Sequence, residues 1–168
     1  VIDYIKNDIS IDKYSYKSGK KINSILKSSE IDSLKFDGYK FNSNEEKLLL
    51  KVNTESIYRY SDKSFIYAFD IKSKELIKIS DKKISLADFS PNGKMVSYVF
   101  DNNLYIYELS SGKTTKCTTD GVRNKIINGA TDWVYEEEFA IVKGYEWSHD
   151  SKFLAYYKFD ESNVKAVS

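Results

Sequence analysis

The sequence predicts an all-β fold, an incomplete β-propeller of about three four-stranded antiparallel blades, and three observations favour it. Aromatic residues make up 15% of the 168 residues, while only 7 Gly and 1 Pro are present. This composition is typical of β-structure whose turns use Asn, Asp, Ser and Lys. Two motifs also recur along the chain, and apolar and polar residues alternate with the period of two that strands require.

The first motif consists of an aromatic residue, a polar turn, and then Lys and an apolar strand. Each copy predicts a tight hairpin, because Ser, Asn and Asp side chains bond to their own backbone in turns and the apolar flanks enter paired strands. The copies are residues 39–50, 87–98 and 145–156.

The second motif follows the first and predicts the outer strands of the same unit. In one copy Tyr105 and Tyr107 fall on one face of a strand and Ile106 falls on the other. Together the two motifs predict a four-stranded propeller blade. Copies lie at residues 65–76 and 104–114, with a partial copy at residues 14–20.

The repeats divide the chain into blade segments and one insertion. At ~40 to 50 residues per blade the chain holds about three blades, whereas a ring has ~4 to 8. We therefore expect residues 1–168 to be part of one propeller domain, cut from a longer chain. The expected segments are about 1–30, 37–80, 84–119 and 143–168, with the insertion at about 120–139.

Charge argues against nucleic acid and membrane surfaces as partners. The 26 Lys and Arg residues balance 25 Asp and Glu residues, so the net charge is +1. No apolar run approaches the ~20 residues that span a bilayer. We expect no nucleic-acid partner and no membrane segment within this chain.

The sequence predicts no self-contained catalytic centre, no metal site and no cofactor. A Gly-x-Ser-x-Gly motif is missing, and so is any glycine-rich phosphate loop. His149, the only histidine, falls in a predicted turn where an exposed side chain is expected. Together with Cys117, the only cysteine, it supplies too few ligands for zinc.

The acidic run at residues 136–138 has two interpretations. It is either a solvated charge run on a short helical turn or a binding site for a cation, held between the aromatic residues at 133, 135 and 139. One carboxylate and one ammonium ~4 Å apart attract each other by about 4 kcal/mol at an effective dielectric of ~20. Composition alone leaves both interpretations open.

A longer stretch around this run resembles a known family. Residues 128–139, Asn-Gly-Ala-Thr-Asp-Trp-Val-Tyr-Glu-Glu-Glu-Phe, with 147–148, 154–156 and 159–164, closely resemble the propeller domain of the dipeptidyl peptidase IV family of prolyl-oligopeptidase-type serine peptidases. The lysine-rich composition looks like that of a bacterial member. The resemblance implies release of Xaa-Pro or Xaa-Ala dipeptides from free N-termini, by a C-terminal α/β-hydrolase domain that this chain lacks.

The resemblance also implies which residues bind substrate. Glu137 and Glu138, the second and third glutamates of the motif, would bind the substrate α-ammonium, with Glu136 as a neighbour. Arg59, in the Tyr-Arg-Tyr-Ser stretch at 58–61, would contact the carbonyl between the two residues of the dipeptide. Its alternative role is a surface ion pair.

The remaining implications of the resemblance concern packing, partners and location. Trp133 and Tyr135 would pack and fix the glutamate turn. The partners would be peptides with a free N-terminus and Pro or Ala second, the hydrolase domain, and a second copy of the parent protein. The location would be periplasmic, cell-envelope or secreted.

Two other hypotheses belong beside this one. A non-enzymatic propeller scaffold would use the acidic loop to bind a basic partner. A peptidase of the same clan could instead tolerate other residues before the scissile bond, because the pocket for that residue lies outside this chain.

Overall fold

The computed structural model describes residues 1–5 and 8–165 as a series of antiparallel sheets. The first sheet has three strands in the order β1, β2, β3 and is followed by one turn of 3₁₀ helix at Ser28–Glu30. Its strands are β1 (Ile2–Ile5), β2 (Asp8–Tyr14) and β3 (Lys21–Lys27).

Two four-stranded sheets come next, and each is a simple meander. The first contains β4 (Gly38–Phe41), β5 (Lys47–Ser56), β6 (Asp62–Asp70) and β7 (Leu76–Lys78). The second contains β8 (Ser85–Phe89), β9 (Met95–Phe100), β10 (Asn103–Glu108) and β11 (Thr114–Lys116). The predicted fold class, four-stranded antiparallel blades of an incomplete propeller, is confirmed.

The repeated turn motif closes its hairpin in the same way in all three copies. A turn side chain accepts a hydrogen bond from the backbone N–H five residues further along the chain. The acceptors are Asn42 Oδ1 at 2.9 Å, Ser90 Oγ at 3.0 Å and Ser148 Oγ at 2.9 Å. These local bonds explain why short polar residues recur at the turn.

Apolar clusters lie between the stacked sheets, and strand β5 contributes leucines to two of these clusters, one on each face of its sheet. Leu48 and Leu50 are buried in the cluster shared with the first sheet, through Ile11 and Leu26. Leu49, pointing to the opposite face, is buried in the cluster shared with the third sheet. Each leucine buried in this way contributes about 1.5 to 3 kcal/mol. Sheets packed face to face on both sides are the arrangement of propeller blades.

The last region combines short strands with the predicted helix. β12 pairs with β15 and β13 pairs with β14, around helix α1. The prediction of a short helical insertion that carries the glutamates is confirmed. The elements are β12 (Ile126–Asn128), α1 (Trp133–Phe139), β13 (Tyr145–Trp147), β14 (Leu154–Tyr156) and β15 (Lys158–Asp160).

Helix α1 has well-defined ends. Asp132 is its N-cap, and Asp132 Oδ1 accepts a hydrogen bond of 2.8 Å from the Tyr135 N–H. Ala140 ends the helix in the left-handed region at φ 54°. In the described part of the chain, no helix is both long enough and apolar enough to cross a membrane.

Candidate functional site

The candidate site forms where helix α1 meets the loop between β5 and β6. This loop, residues 57–61, is closed by a hydrogen bond of 2.8 Å from the Ile57 N–H to the Ser61 carbonyl. Residues 53–60 are exposed, and Arg59 lies at the tip of the loop. Arg59 therefore stands outside the packed blades and within reach of the helix.

Glu136 joins the helix to this loop. Its Oε1 atom accepts hydrogen bonds of 2.8 Å from both the Tyr60 N–H and the Ser61 N–H. The residue is 4% exposed, so it is buried, and two backbone donors engage one of its carboxylate oxygens. No sequence pattern indicates this role, because the partners are backbone amides 76 and 75 residues away along the chain.

Glu137 makes an ion pair with Arg59. Arg59 Nε lies 3.1 Å from Glu137 Oε2, and the side chains are 64% and 16% exposed, respectively. The structure thus brings together two of the three residues predicted to bind substrate. The ion pair orients the guanidinium group at the end of the loop.

Glu138 occupies a different position. It is exposed, and within residues 1–5 and 8–165 no hydrogen bond or ion pair engages its carboxylate. Consecutive residues of a helix point about 100° apart, since one turn takes ~3.6 residues. Glu136 therefore faces the loop backbone, Glu137 faces Arg59, and Glu138 faces solvent.

The aromatic residues of the helix also differ from one another. The Tyr135 ring packs against the rings of Phe139 and Phe159, with centroid distances of 5.7 and 5.2 Å. This packing agrees with the role expected for Tyr135. Trp133 is 56% exposed, so the packing expected for it is not observed.

A second contact fixes the segment that directly follows the insertion. Lys143 pairs with Ala130 in an isolated β-bridge, and Lys143 Nζ lies 2.7 Å from Asp88 Oδ2. Asp88 Oδ1 also accepts a hydrogen bond of 2.7 Å from Lys40 Nζ. Burial favours a higher pKa for Asp88, but the two ammonium groups outweigh it and lower the pKa. Asp88 thus ties the insertion to two blades.

A cavity of about 680 Å³ opens beside the contact between loop and helix. Its walls include Tyr58 and Ser61 from the loop, Trp133 and Glu136 from the helix, and the turn at 101–102. The volume falls in the range of pockets that take small ligands. No group of three His, Cys, Asp or Glu side chains suited to a metal ion occurs among the residues described.

Fold and site together define a class of protein: a propeller domain whose helical insertion presents glutamates to an arginine of a neighbouring blade. Residues 42–168 match the family model for the dipeptidyl peptidase IV (DPP IV) N-terminal region. The chain belongs to this family.

Individual relatives agree with this assignment. The chain is 29% identical to the human prolyl endopeptidase FAP over 96% of its own length and 21% of the relative. It is 38% identical to dipeptidyl aminopeptidase B of Saccharomyces cerevisiae over 71% of its length and 14% of the relative. The chain therefore spans about a fifth or less of these relatives.

A solved structure is also similar. The crystal structure of Porphyromonas gingivalis dipeptidyl peptidase 4 matches 90% of this chain and 22% of that chain, with 36% identity and a TM-score of 0.83. These relatives are named as dipeptidyl or prolyl peptidases.

Proposed function

We propose that this chain is the substrate-recognising propeller part of a serine exopeptidase that releases Xaa-Pro or Xaa-Ala dipeptides from peptide N-termini. The observation that carries the proposal is the contact between Arg59 and the mostly buried Glu137. In this proposal the Glu137 carboxylate accepts the ammonium group of the peptide's N-terminal residue, and the adjacent Arg59 guanidinium donates to the carbonyl of the same residue.

Each residue has a distinct role in this proposal. Glu137 and Glu138 accept hydrogen bonds from the α-ammonium group of the substrate. The guanidinium of Arg59 has five N–H donors, of which the Nε donor faces Glu137, and another binds the carbonyl between the two residues of the dipeptide. Because Arg59 is 64% exposed, its ion pair is worth only about 0 to 1 kcal/mol and yields readily to substrate.

The recognition residues act by positioning. Fixing the α-ammonium sets the distance from the N-terminus to the scissile bond, so that cleavage falls after the second residue. We assign the catalytic triad to an α/β-hydrolase domain elsewhere in the parent protein. Dimerisation of the parent and its location in the cell envelope, periplasm or medium belong to the same proposal.

The test compares substrates with a free and an acetylated N-terminus in the full-length protein. Glu137→Gln and, separately, Glu138→Gln should each lower kcat/KM for a free Xaa-Pro substrate by roughly 10- to 100-fold, because a charge-assisted hydrogen bond contributes about 1.5 to 3 kcal/mol. The acetylated substrate should be cleaved at the same low rate by all variants.

Glu75→Gln is the matched control, since Glu75 is exposed and lies on another part of the propeller. It should leave both substrates unaffected. If the glutamate variants keep the parent's preference for a free amine, the proposal is wrong. Comparison of substrates with Pro, Ala and larger residues at the second position would define how strict the specificity is.

A further inference from the structure

Glu136 stands apart from the two glutamates proposed to bind substrate, because its carboxylate is buried and directed at the loop backbone. We propose that Glu136 is a positioning residue, which holds the 57–61 loop so that Arg59 meets Glu137. This inference deepens the proposed function and rests on it for its effect on substrate.

The helix contacts the loop through two adjacent glutamates. Glu136 Oε1 binds the N–H groups of Tyr60 and Ser61, the two residues directly after Arg59. The next residue of the helix, Glu137, binds the Arg59 side chain. One carboxylate therefore holds the backbone of the loop, and its neighbour orients the side chain that the loop carries.

The loop has little other support at this point. The residues from 53 to 60 are exposed, so no core packing holds them. Ser61 Oγ is buried yet has no hydrogen-bond partner among the described residues. Apart from the Arg59–Glu137 ion pair, the loop is therefore held against the helix by the carboxylate of Glu136.

Burial of a carboxylate is costly unless strong donors compensate for lost water. At 4% exposure Glu136 has that cost, and two hydrogen bonds of 2.8 Å to backbone amides offset it. A glutamate that served only as part of a polar helix surface would stay exposed and would not have this desolvation cost. The buried position of Glu136 is explained if its carboxylate holds the loop.

Three variants of Glu136 separate the effect of side-chain length from the effect of charge. Glu136→Gln keeps the length of the side chain and one carbonyl oxygen that can accept both N–H groups. Glu136→Asp keeps the charge but is one methylene shorter, and Glu136→Ala removes the acceptor. If positioning is the role, Gln should preserve function, whereas Asp and Ala should lose it.

Two measurements on the full-length protein test this. In hydrogen exchange, the amides of Tyr60 and Ser61 should exchange at least ~10-fold faster in the Asp and Ala variants and at nearly the parent rate in the Gln variant. For a free Xaa-Pro substrate, the KM of the Asp and Ala variants should rise at least ~10-fold while kcat changes less. The Gln variant should stay within ~3-fold of the parent.

Several outcomes would overturn the inference. They are unchanged exchange at residues 60 and 61 in the Ala variant, function retained by Asp but lost by Gln, or faster exchange spread equally over β9 and β10. The last would mean general destabilisation. Glu137→Gln distinguishes this inference from the proposed function, because it should weaken substrate binding without changing exchange at residues 60 and 61.

Discussion

Two hairpins of the same architecture, β5–β6 and β9–β10, end in different ways. Strands β5 and β6 have 10 and 9 residues and are joined by the five-residue loop 57–61. Strands β9 and β10 have 6 residues each and are joined by Asp101 and Asn102 alone. Both turn residues have positive φ, 47° and 57°, as tight two-residue hairpin turns require.

The β5–β6 hairpin is therefore longer than the β9–β10 hairpin, and its additional length carries Arg59. Both hairpins bury apolar residues, Leu48 to Leu50 in one and Val96 and Val99 in the other. The additional residues of β5 and β6 reach about 10 to 13 Å further, at ~3.3 Å per residue. A register shift between Val52 and Glu55, with Asn53 at φ 55°, marks where the extension begins.

The extension needs supports that the short hairpin does not need. Thr54 bonds to the Asp37 carboxylate through its N–H, at 2.8 Å, and through its hydroxyl, at 2.5 Å. Glu55 makes ion pairs with Lys63 and Lys83. These contacts hold the base of the extension, and Glu136 holds its tip.

Shortening the long hairpin should have the largest effect. We expect replacement of residues 56–62 by Asp-Asn, the turn of the short hairpin, to retain the pair Glu55 and Lys63 and to remove Arg59. In the full-length protein kcat/KM for a free Xaa-Pro substrate should fall by roughly 10- to 100-fold, since the charge-assisted hydrogen bond from Arg59 to the substrate carbonyl is lost.

The matched control for this replacement is the change of residues 101–102 to Asn-Gly, which suits the same turn type. It should leave kcat/KM within ~2-fold of the parent. Activity retained after removal of the long loop would contradict the functional difference between the hairpins.

Substitution of Asp88 should have an intermediate effect, on stability, because Asp88 joins the blade of the short hairpin to the insertion. Asp88→Asn weakens its hydrogen bonds to Lys40 and Lys143, and among the described residues it leaves Lys40 without a carboxylate and Lys143 with that of Glu146 alone. We expect a loss of about 1 to 2 kcal/mol of stability, smaller than for fully buried pairs since Lys40 is 55% exposed.

Thermal unfolding of the full-length protein measures this loss as a lower midpoint for the propeller transition. Asp81→Asn serves as the control, since the Asp81 side chain is 92% exposed and pairs only with Lys78 among the described residues. Equal midpoints for the two variants would show that Asp88 does not tie the insertion to the blades.

The smallest expected effect is a pH-dependent change in stability that arises from an ion pair at the base of the long hairpin. Lys47 pairs with Asp70 there, where the short hairpin has Met95 opposite Glu108. The hydrogen bond from Lys47, followed by the N–H of Ser73, lowers the pKa of Asp70 from 3.8 to about 2. A lowered carboxyl pKa adds stability above about pH 4, and this stability is lost as the pH falls toward 2.

Asp70→Asn should therefore destabilise the protein by about 1 kcal/mol at neutral pH, after allowance for solvent screening of this partly exposed pair. The difference from the parent should shrink as the pH falls from about 5 to about 2.5. Thermal midpoints across this range measure it. A constant difference between parent and variant at all pH values would refute the role of Asp70.

Local features of the fold were predictable from the sequence because local chemistry determines them. The turn residues Asn42, Ser90 and Ser148 bond to backbone only five residues away, so their recurrence marks each hairpin. The helix at 133–139 begins at Asp132, a residue suited to an N-cap. Glu137 and Glu138 were predicted from the contiguous motif around the glutamates, and Arg59 from the separate stretch at 58–61.

The sequence by itself thus determined the blade repeats, the helical insertion and the presence of three adjacent glutamates. Only the tertiary structure decided that Glu136 is buried against the loop backbone, that Glu137 meets Arg59 and that Glu138 faces solvent. The physical reason is that these three residues have the same chemistry. Their environments differ because an extended hairpin from a distant part of the chain approaches one side of the helix, and no local pattern records that approach.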